Sequence, residues 1–155
     1  MFHLDDDDFV LLKEIQKDEK INYAEISRKT GIPSSTVYDK ISRLKEEGII
    51  KDVAAILEPK KVGFAITSFV GLNTKTKFYK IVAEKLINFD ELIGVYGTTG
   101  QFDLLIQIRT TSLDALNEIL NKLRSIKGID DIFSMTVLEI FKETHVIPLE
   151  LHEDK

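Results

Sequence analysis

The feature that most narrows the fold is a change of hydrophobic period part-way along the chain. In roughly the first 50 residues apolar positions recur every three or four places, the spacing of one helical face. From Ala65 onward β-rich runs alternate with helical ones, and the alternation repeats. Residues 65–73 read as a strand, 78–88 as a helix with Phe78, Val82 and Leu86 on one face, and 92–96 as a strand. Residues 103–109 then read as a strand, Leu113, Leu116, Leu120 and Leu123 mark a helix, and 129–141 read as a long last strand. Two β-α-β halves offset by roughly 37 residues predict a ferredoxin-like βαββαβ module, a four-stranded antiparallel sheet with both helices on one face. The other face needs a cover. Ile66, Val70, Leu105, Val137 or their neighbours would otherwise leave apolar sheet exposed, and such a patch marks an association site, so a homodimer is expected.

Ahead of the repeat the helical signals are local. Asp5 to Asp8 precede Phe9, Leu12 and Ile15, which share one helical face. With Asp5 as N-cap, Asp8 takes the third helical position of a capping box, and Leu4 and Phe9 the two places of a hydrophobic staple. Asn22 and Glu25, with Ile21 and Ile26, repeat that grammar and predict a short second helix. Gly31 and Pro33 must end it, through a left-handed turn and a missing N–H. A third helix over residues 34–47 aligns Val37, Ile41 and Leu44 as an apolar stripe and turns Ser35, Asp39 and Ser42 the opposite way. Residues 49–57 are rich in β-branched side chains, and 58–63 carry turn residues and charge. The expected division is a helix-turn-helix, winged-helix-like domain at 1–57, a linker at 58–63 and the ferredoxin-like module at 64–155, an α+β chain with an irregular tail beyond Phe141.

The chain has 155 residues, 21 Lys+Arg against 26 Asp+Glu, and no cysteine. The missing thiol excludes cysteine catalysis, Cys-based zinc sites and disulfides. No apolar run approaches the ~18 residues that span a bilayer, and the first residues are acidic where a signal peptide is basic. A cytoplasmic chain without a membrane partner is expected. No Walker loop, HExxH, GxSxG or CxxC motif is present. His3, His145 and His152 lie far apart, and consecutive aspartates on a helix point in different directions, so neither an enzyme nor a metal or cofactor site is expected.

The net charge of -5 hides an uneven distribution. From Arg28 to Lys51 six cations (Arg28, Lys29, Lys40, Arg43, Lys45, Lys51) face three acids (Asp39, Glu46, Glu47), whereas the residues before Arg28 are predominantly acidic. Neutralising phosphates releases counterions, so an acidic protein binds duplex DNA through a locally basic surface. A short helix, a glycine turn and an amphipathic helix with a small-polar outer face fit a helix-turn-helix whose second helix enters the major groove. Ser34, Ser35, Tyr38 and Asp39 are then placed for base edges, and Arg28, Lys40, Arg43, Lys45 and Lys51 for phosphates. Asp39 has two readings, acceptance from a cytosine amino group or an i,i+4 pair with Arg43. The bland alternative is a solvated helix in a bundle. An RNA-recognition module is disfavoured, because residues 103–107 lack the aromatic pattern of its central strand.

Gly97-Thr98-Thr99-Gly100 offers consecutive backbone N–H groups that suit a carboxylate, and Asp103 could receive an ammonium. Equally, the glycines permit a tight turn and Asp103 bonds its own loop.

The residues Leu4-Asp5, Asp8, Leu11-Leu12, Glu25-Ile26-Ser27, Gly31-Ile32-Pro33, Thr36-Val37, Arg43-Leu44 and Gly48-Ile49-Ile50-Lys51 resemble the N-terminal domain of the Lrp/AsnC family. Thr99-Gly100-Gln101-Phe102-Asp103 resembles that family's Gly-x-x-Asp segment, so the resemblance spans nearly the whole chain. It implies a feast/famine transcriptional regulator that responds to an amino acid or related effector and assembles as dimers associating into larger oligomers. It also implies an effector site between subunits, with Ser134 and Thr136 as lining hydroxyls. Two positions depart from the family: Lys40 stands where arginine is usual, and Pro33 where a capping serine is frequent.

Overall fold

The computed structural model describes residues 3–17 and 21–150. Asp5 caps helix α1 (Asp6–Ile15): its carboxylate accepts from the Asp8 N–H at 2.9 Å, while the Asp8 carboxylate accepts from the Asp5 N–H at 3.0 Å. The two orphan donors of the first turn are thus satisfied reciprocally. Asn22 caps α2 (Tyr23–Thr30) by accepting from the Glu25 N–H, and Gly31, at φ 77°, closes that helix in the left-handed conformation. Helix α3 (Ser34–Glu46) starts from Pro33 without a side-chain cap. Leu11, Leu12, Ile15, Ile26, Ile32, Val37, Ile41, Leu44 and Ile50 form the buried core of this first unit. The apolar stripe expected on α3 is its buried face.

Residues 51–58 form neither helix nor strand, and Pro59–Val62, inside the stretch expected as a linker, form a 3₁₀ turn closed by Gly63. The described residues up to Ile56 form one compact unit together with those from Glu143 onward, and Leu57–Lys142 form the second. The tail therefore belongs with the helices, which corrects its assignment to the sheet module. The Gln16 side-chain amide grips the Ile147 peptide group in both directions, accepting from its N–H at 2.7 Å and donating to its carbonyl at 3.2 Å, and Leu149 packs on the helical core.

In the second unit the elements run β1 (Ile66–Thr74), α4 (Tyr79–Leu86), β2 (Leu92–Gly97), β3 (Leu104–Thr110), α5 (Leu113–Arg124) and β4 (Ile129–Thr136). The sheet order is β2-β3-β1-β4 with every neighbour antiparallel. Val70 and Leu72 of β1, Leu104, Ile106 and Ile108 of β3, and six residues of the two helices make one core, so both helices cover the same face. Strand β4 is shorter than expected because β1 begins at Ile66. The last bond, from the Val137 N–H to the Thr67 carbonyl, exhausts its partner, leaving Leu138 and Phe141 exposed.

Strand alternation fixes which residues lie on the uncovered face. Ile66 and Val70 pack into the helix-covered core, a correction to the expectation that they line the open side. Their neighbours Thr67, Phe69 and Gly71, with Leu105, Gln107 and Arg109 of β3 and Phe133 and Met135 of β4, have the opposite parity. Phe102 lies over Gly71 and meets Phe133 at a ring separation of 5.4 Å. A Cβ at Gly71 would stand 2.5 Å from the Phe102 ring, so the close approach requires glycine.

Candidate DNA-binding surface and effector site

Burying Val37, Ile41 and Leu44 turns Ser34, Ser35, Tyr38 and Asp39 outward, and all four are exposed. They share one side of α3 near its start, beyond the left-handed turn at Gly31. Tyr38, 55% exposed, meets the ring of Tyr23 on α2 edge-on at 5.3 Å, so a neighbouring helix orients it. Tyr23 carried no signal in the sequence, because contact across the turn depends on how α2 and α3 pack. Arg28, Lys45 and Lys51 are exposed, and Arg28 lies 4.0 Å from Glu25.

The remaining two cations are differently placed. The Lys40 ammonium contacts both Asp5 oxygens at 2.6 and 2.7 Å and Asp8 Oδ1 at 3.1 Å, and its side chain is only 15% exposed. Arg43 Nη2 donates to the two Asp8 oxygens at 2.7 and 2.9 Å. Asp8 is wholly buried. Lys40 and Arg43, expected to stand ready for phosphates, are thus tied to the N-terminus of α1, and Arg43 engages Asp8 in place of the Asp39 that helical spacing offers. The Lys40 hydrogen bond is the chief reason the Asp5 carboxyl lies below its ordinary pKa, against a desolvation that works upward. Burial pulls the Lys40 pKa down most strongly of any single cause, but its bonds to Asp5 and Asp8 together outweigh it and leave the value raised.

The hairpin between β2 and β3 is exposed over residues 96–101. Gly97 packs under the Tyr79 hydroxyl of α4, and Gly100 adopts φ 113°. Within the turn the Thr98 N–H donates to the Asp103 carbonyl at 3.1 Å and the Thr98 hydroxyl to the Phe102 carbonyl at 2.5 Å, while Thr99 is exposed. The Asp103 carboxylate accepts from the Thr74 N–H at 2.7 Å and the Thr74 hydroxyl at 3.1 Å, anchoring the turn to the end of β1. The partner lies at the end of β1 and not in the loop of Asp103 itself, so the carboxylate bonds across strands, which neither sequence reading anticipated.

Ser134 and Thr136 lie on edge strand β4 with the parity of the helix-covered face, and Ser134 shares a hydrogen bond with the buried Ser68 at 3.2 Å. β2 is the opposite edge of the sheet. Three strand spacings, roughly 14 Å, therefore separate Ser134 from the strand that leads into the hairpin, and the two groups of candidate residues do not converge within one chain.

Among the described residues no group of three or more His, Cys, Asp or Glu is arranged to hold a metal ion, and no helix is long and apolar enough to cross a membrane. His3 and His145 are exposed, and His152 lies outside the described residues.

Residues 4–51 match a family described as winged helix-turn-helix DNA-binding, and residues 67–147 match the Lrp/AsnC ligand binding domain. The HTH-type transcriptional regulator FL11 of Pyrococcus furiosus is 38% identical over 147 residues, covering 95% of this chain and 97% of that protein. The structure of Escherichia coli AsnC superposes with a TM-score of 0.85 at 26% identity, over 94% of this chain and 99% of that one. A transcriptional regulator from Neisseria meningitidis, solved as a complex with L-Met, superposes with a TM-score of 0.87 at 25% identity, over 94% and 97% of the two chains.

Proposed function

The chain belongs to the Lrp/AsnC family of transcriptional regulators, and from that premise we propose that α3 reads duplex DNA with Ser34, Ser35, Tyr38 and Asp39 while a small metabolite acts on the sheet module. It is a DNA-binding regulator and not an enzyme. The observation that carries the reading is the two-sidedness of α3, whose apolar stripe is fully buried while its first two turns present short polar groups and one oriented tyrosine. Such a surface fits a major groove, where hydroxyl, phenol and carboxylate groups meet base edges. Arg28, Lys45 and Lys51 supply phosphate contacts. The chain works where the chromosome is, in the cytoplasm.

The effector is an amino acid or a close relative, a class supported by the ligand-binding family and by the L-Met complex of the Neisseria regulator. The Thr98 N–H is spent on the Asp103 carbonyl, so of the Gly97–Gly100 turn it is the backbone N–H groups of Thr99 and Gly100 that suit its carboxylate. Because this hairpin and the Ser134–Thr136 pair occupy opposite sheet edges, a pocket using both takes them from different subunits. A homodimer, and association of dimers, provides that neighbour. Phe133 and Met135 on the uncovered face, and the highly exposed Leu138 and Phe141, supply apolar surface for two copies to share.

Two measurements test this. Binding of random and selected duplexes is followed as salt rises: tight binding that weakens steeply supports the reading, and no binding to any duplex defeats it. Calorimetric titration with the twenty amino acids, paired with light scattering, tests the effector. No heat and no change of assembly size would remove it.

A further inference from the structure

The regulator reading treats cations on a recognition helix as phosphate ligands, and the geometry of two of them points elsewhere. We infer that Asp8 and Lys40 are positioning residues: with Asp5 and Arg43 they lock the rotation of α3 against the start of α1, and Lys40 makes no phosphate contact of its own. This rests on the DNA-reading role proposed for α3.

The first support is a count of donors and acceptors. An ammonium has three N–H bonds. Lys40 has three carboxylate oxygens in reach, two from Asp5 and one from Asp8, and its side chain is 15% exposed. The buried Asp8 is equally committed, since Oδ1 accepts from Lys40 and Arg43, and Oδ2 from Arg43 and the Asp5 backbone N–H.

The second support is charge. Two carboxylates and two cations cancel, so the cluster adds little to the counterion release that drives phosphate binding. Turning Lys40 to a phosphate would strand a buried carboxylate with one partner fewer, and charges buried in that way are strongly disfavoured.

The third is placement. Asp5 and Asp8 are the N-cap and third position of α1, already fixed by their reciprocal backbone bonds. Lys40 and Arg43 are three apart on α3, so both reach from one side of it. Two bonded points on a helix face oppose rolling about its axis, and a roll would swing Ser34, Ser35, Tyr38 and Asp39 away from the base edges they meet. Lysine at position 40 suits this role, because its compact ammonium reaches oxygens of both Asp5 and Asp8 at once.

The test uses the full chain with Lys40→Met, which keeps the stem and removes the charge, and Asp8→Asn. Affinity for a selected and a random duplex is measured over a range of salt. For K40M the expected result is an unchanged salt slope on random duplex and a loss of about tenfold in preference for the selected site. Asp8→Asn should lose preference in the same way, while Lys40→Arg should restore only part of it. A K40M slope shallower by about 0.9 marks a lost phosphate contact and overturns the inference, as does undiminished preference. Should the wild type prefer no duplex, the regulator reading itself falls. The lock is then judged by urea midpoints of D8N, K40M and the double variant: non-additive shifts sustain it and additive ones end it.

Discussion

The Asp103 carboxylate takes both hydrogen bonds that Thr74 can give, from its N–H at 2.7 Å and from its hydroxyl at 3.1 Å. One side chain thereby fastens the β2–β3 turn to the far end of β1, and an effector ammonium arriving at Asp103 shares a carboxylate already in use. Asp103→Ala should loosen the turn without any ligand, with a stability loss of about 1–3 kcal/mol for the stranded Thr74 donors. Hydrogen exchange of the Thr74 and Thr98 amides measures it, and unchanged protection would show that the anchor does not hold the turn.

The pair Asp5 and Lys40 sets a pH dependence whose sign can be worked out. Asp5 has a lowered pKa in the folded chain, so its contribution is present above the unfolded value of about 3.9 and is lost as pH falls through the folded one. Lys40 has a raised pKa, so its contribution is present below an unfolded value of about 10.4 and is lost as pH rises through the folded one. The stability difference between wild type and K40M should therefore be level from about pH 5 to 10 and shrink outside that window. Urea midpoints across pH check this; a difference that persists unchanged beyond pH 11 would contradict it.

Lys45 is exposed on the last turn of α3 and lies outside the ion cluster. Lys45→Ala should weaken binding to all duplexes alike and make the salt slope shallower by about 0.9, the signature of one phosphate. Ser35→Ala should leave the slope alone and change base preference at one position. The same result for both variants would mean that their assigned roles are wrong.

Gly71 has no room for a side chain under Phe102. Gly71→Ala should displace the ring and cost about 1–3 kcal/mol, the range for an added group in a packed site. Removing the ring with Phe102→Ala should recover most of that loss in the double variant. Circular-dichroism unfolding curves decide it, and a Gly71→Ala midpoint equal to wild type would show that the ring moves aside freely.

Much of this was legible because it is local. Asp5, Asp8, Asn22 and Gly31 act within three or four residues, so caps and turn follow from spacing alone, and the repeated strand-helix-strand pattern carries the sheet. What stayed hidden depends on residues distant in sequence. Lys40 and Arg43 look like free cations in a local count, yet acids 32 to 35 positions earlier neutralise them. Ser134 and Thr136 are hydroxyls on a strand, but their face follows from a register shared with β1 that no property of 129–136 announces. Likewise, Gln16 meets Ile147 across 131 positions, a pairing that only the folded chain creates.

That last contact bears on what a broken chain would do. The polypeptide leaves the helical unit after Ile56 and comes back to it at Glu143. A protease that nicks the exposed stretch at 51–58 leaves, among the described residues, the Gln16–Ile147 bonds and the Leu149 contact between the returning end and the helices. Those contacts are too few for micromolar association, which takes roughly 8 kcal/mol, so the severed pieces should separate on a sizing column.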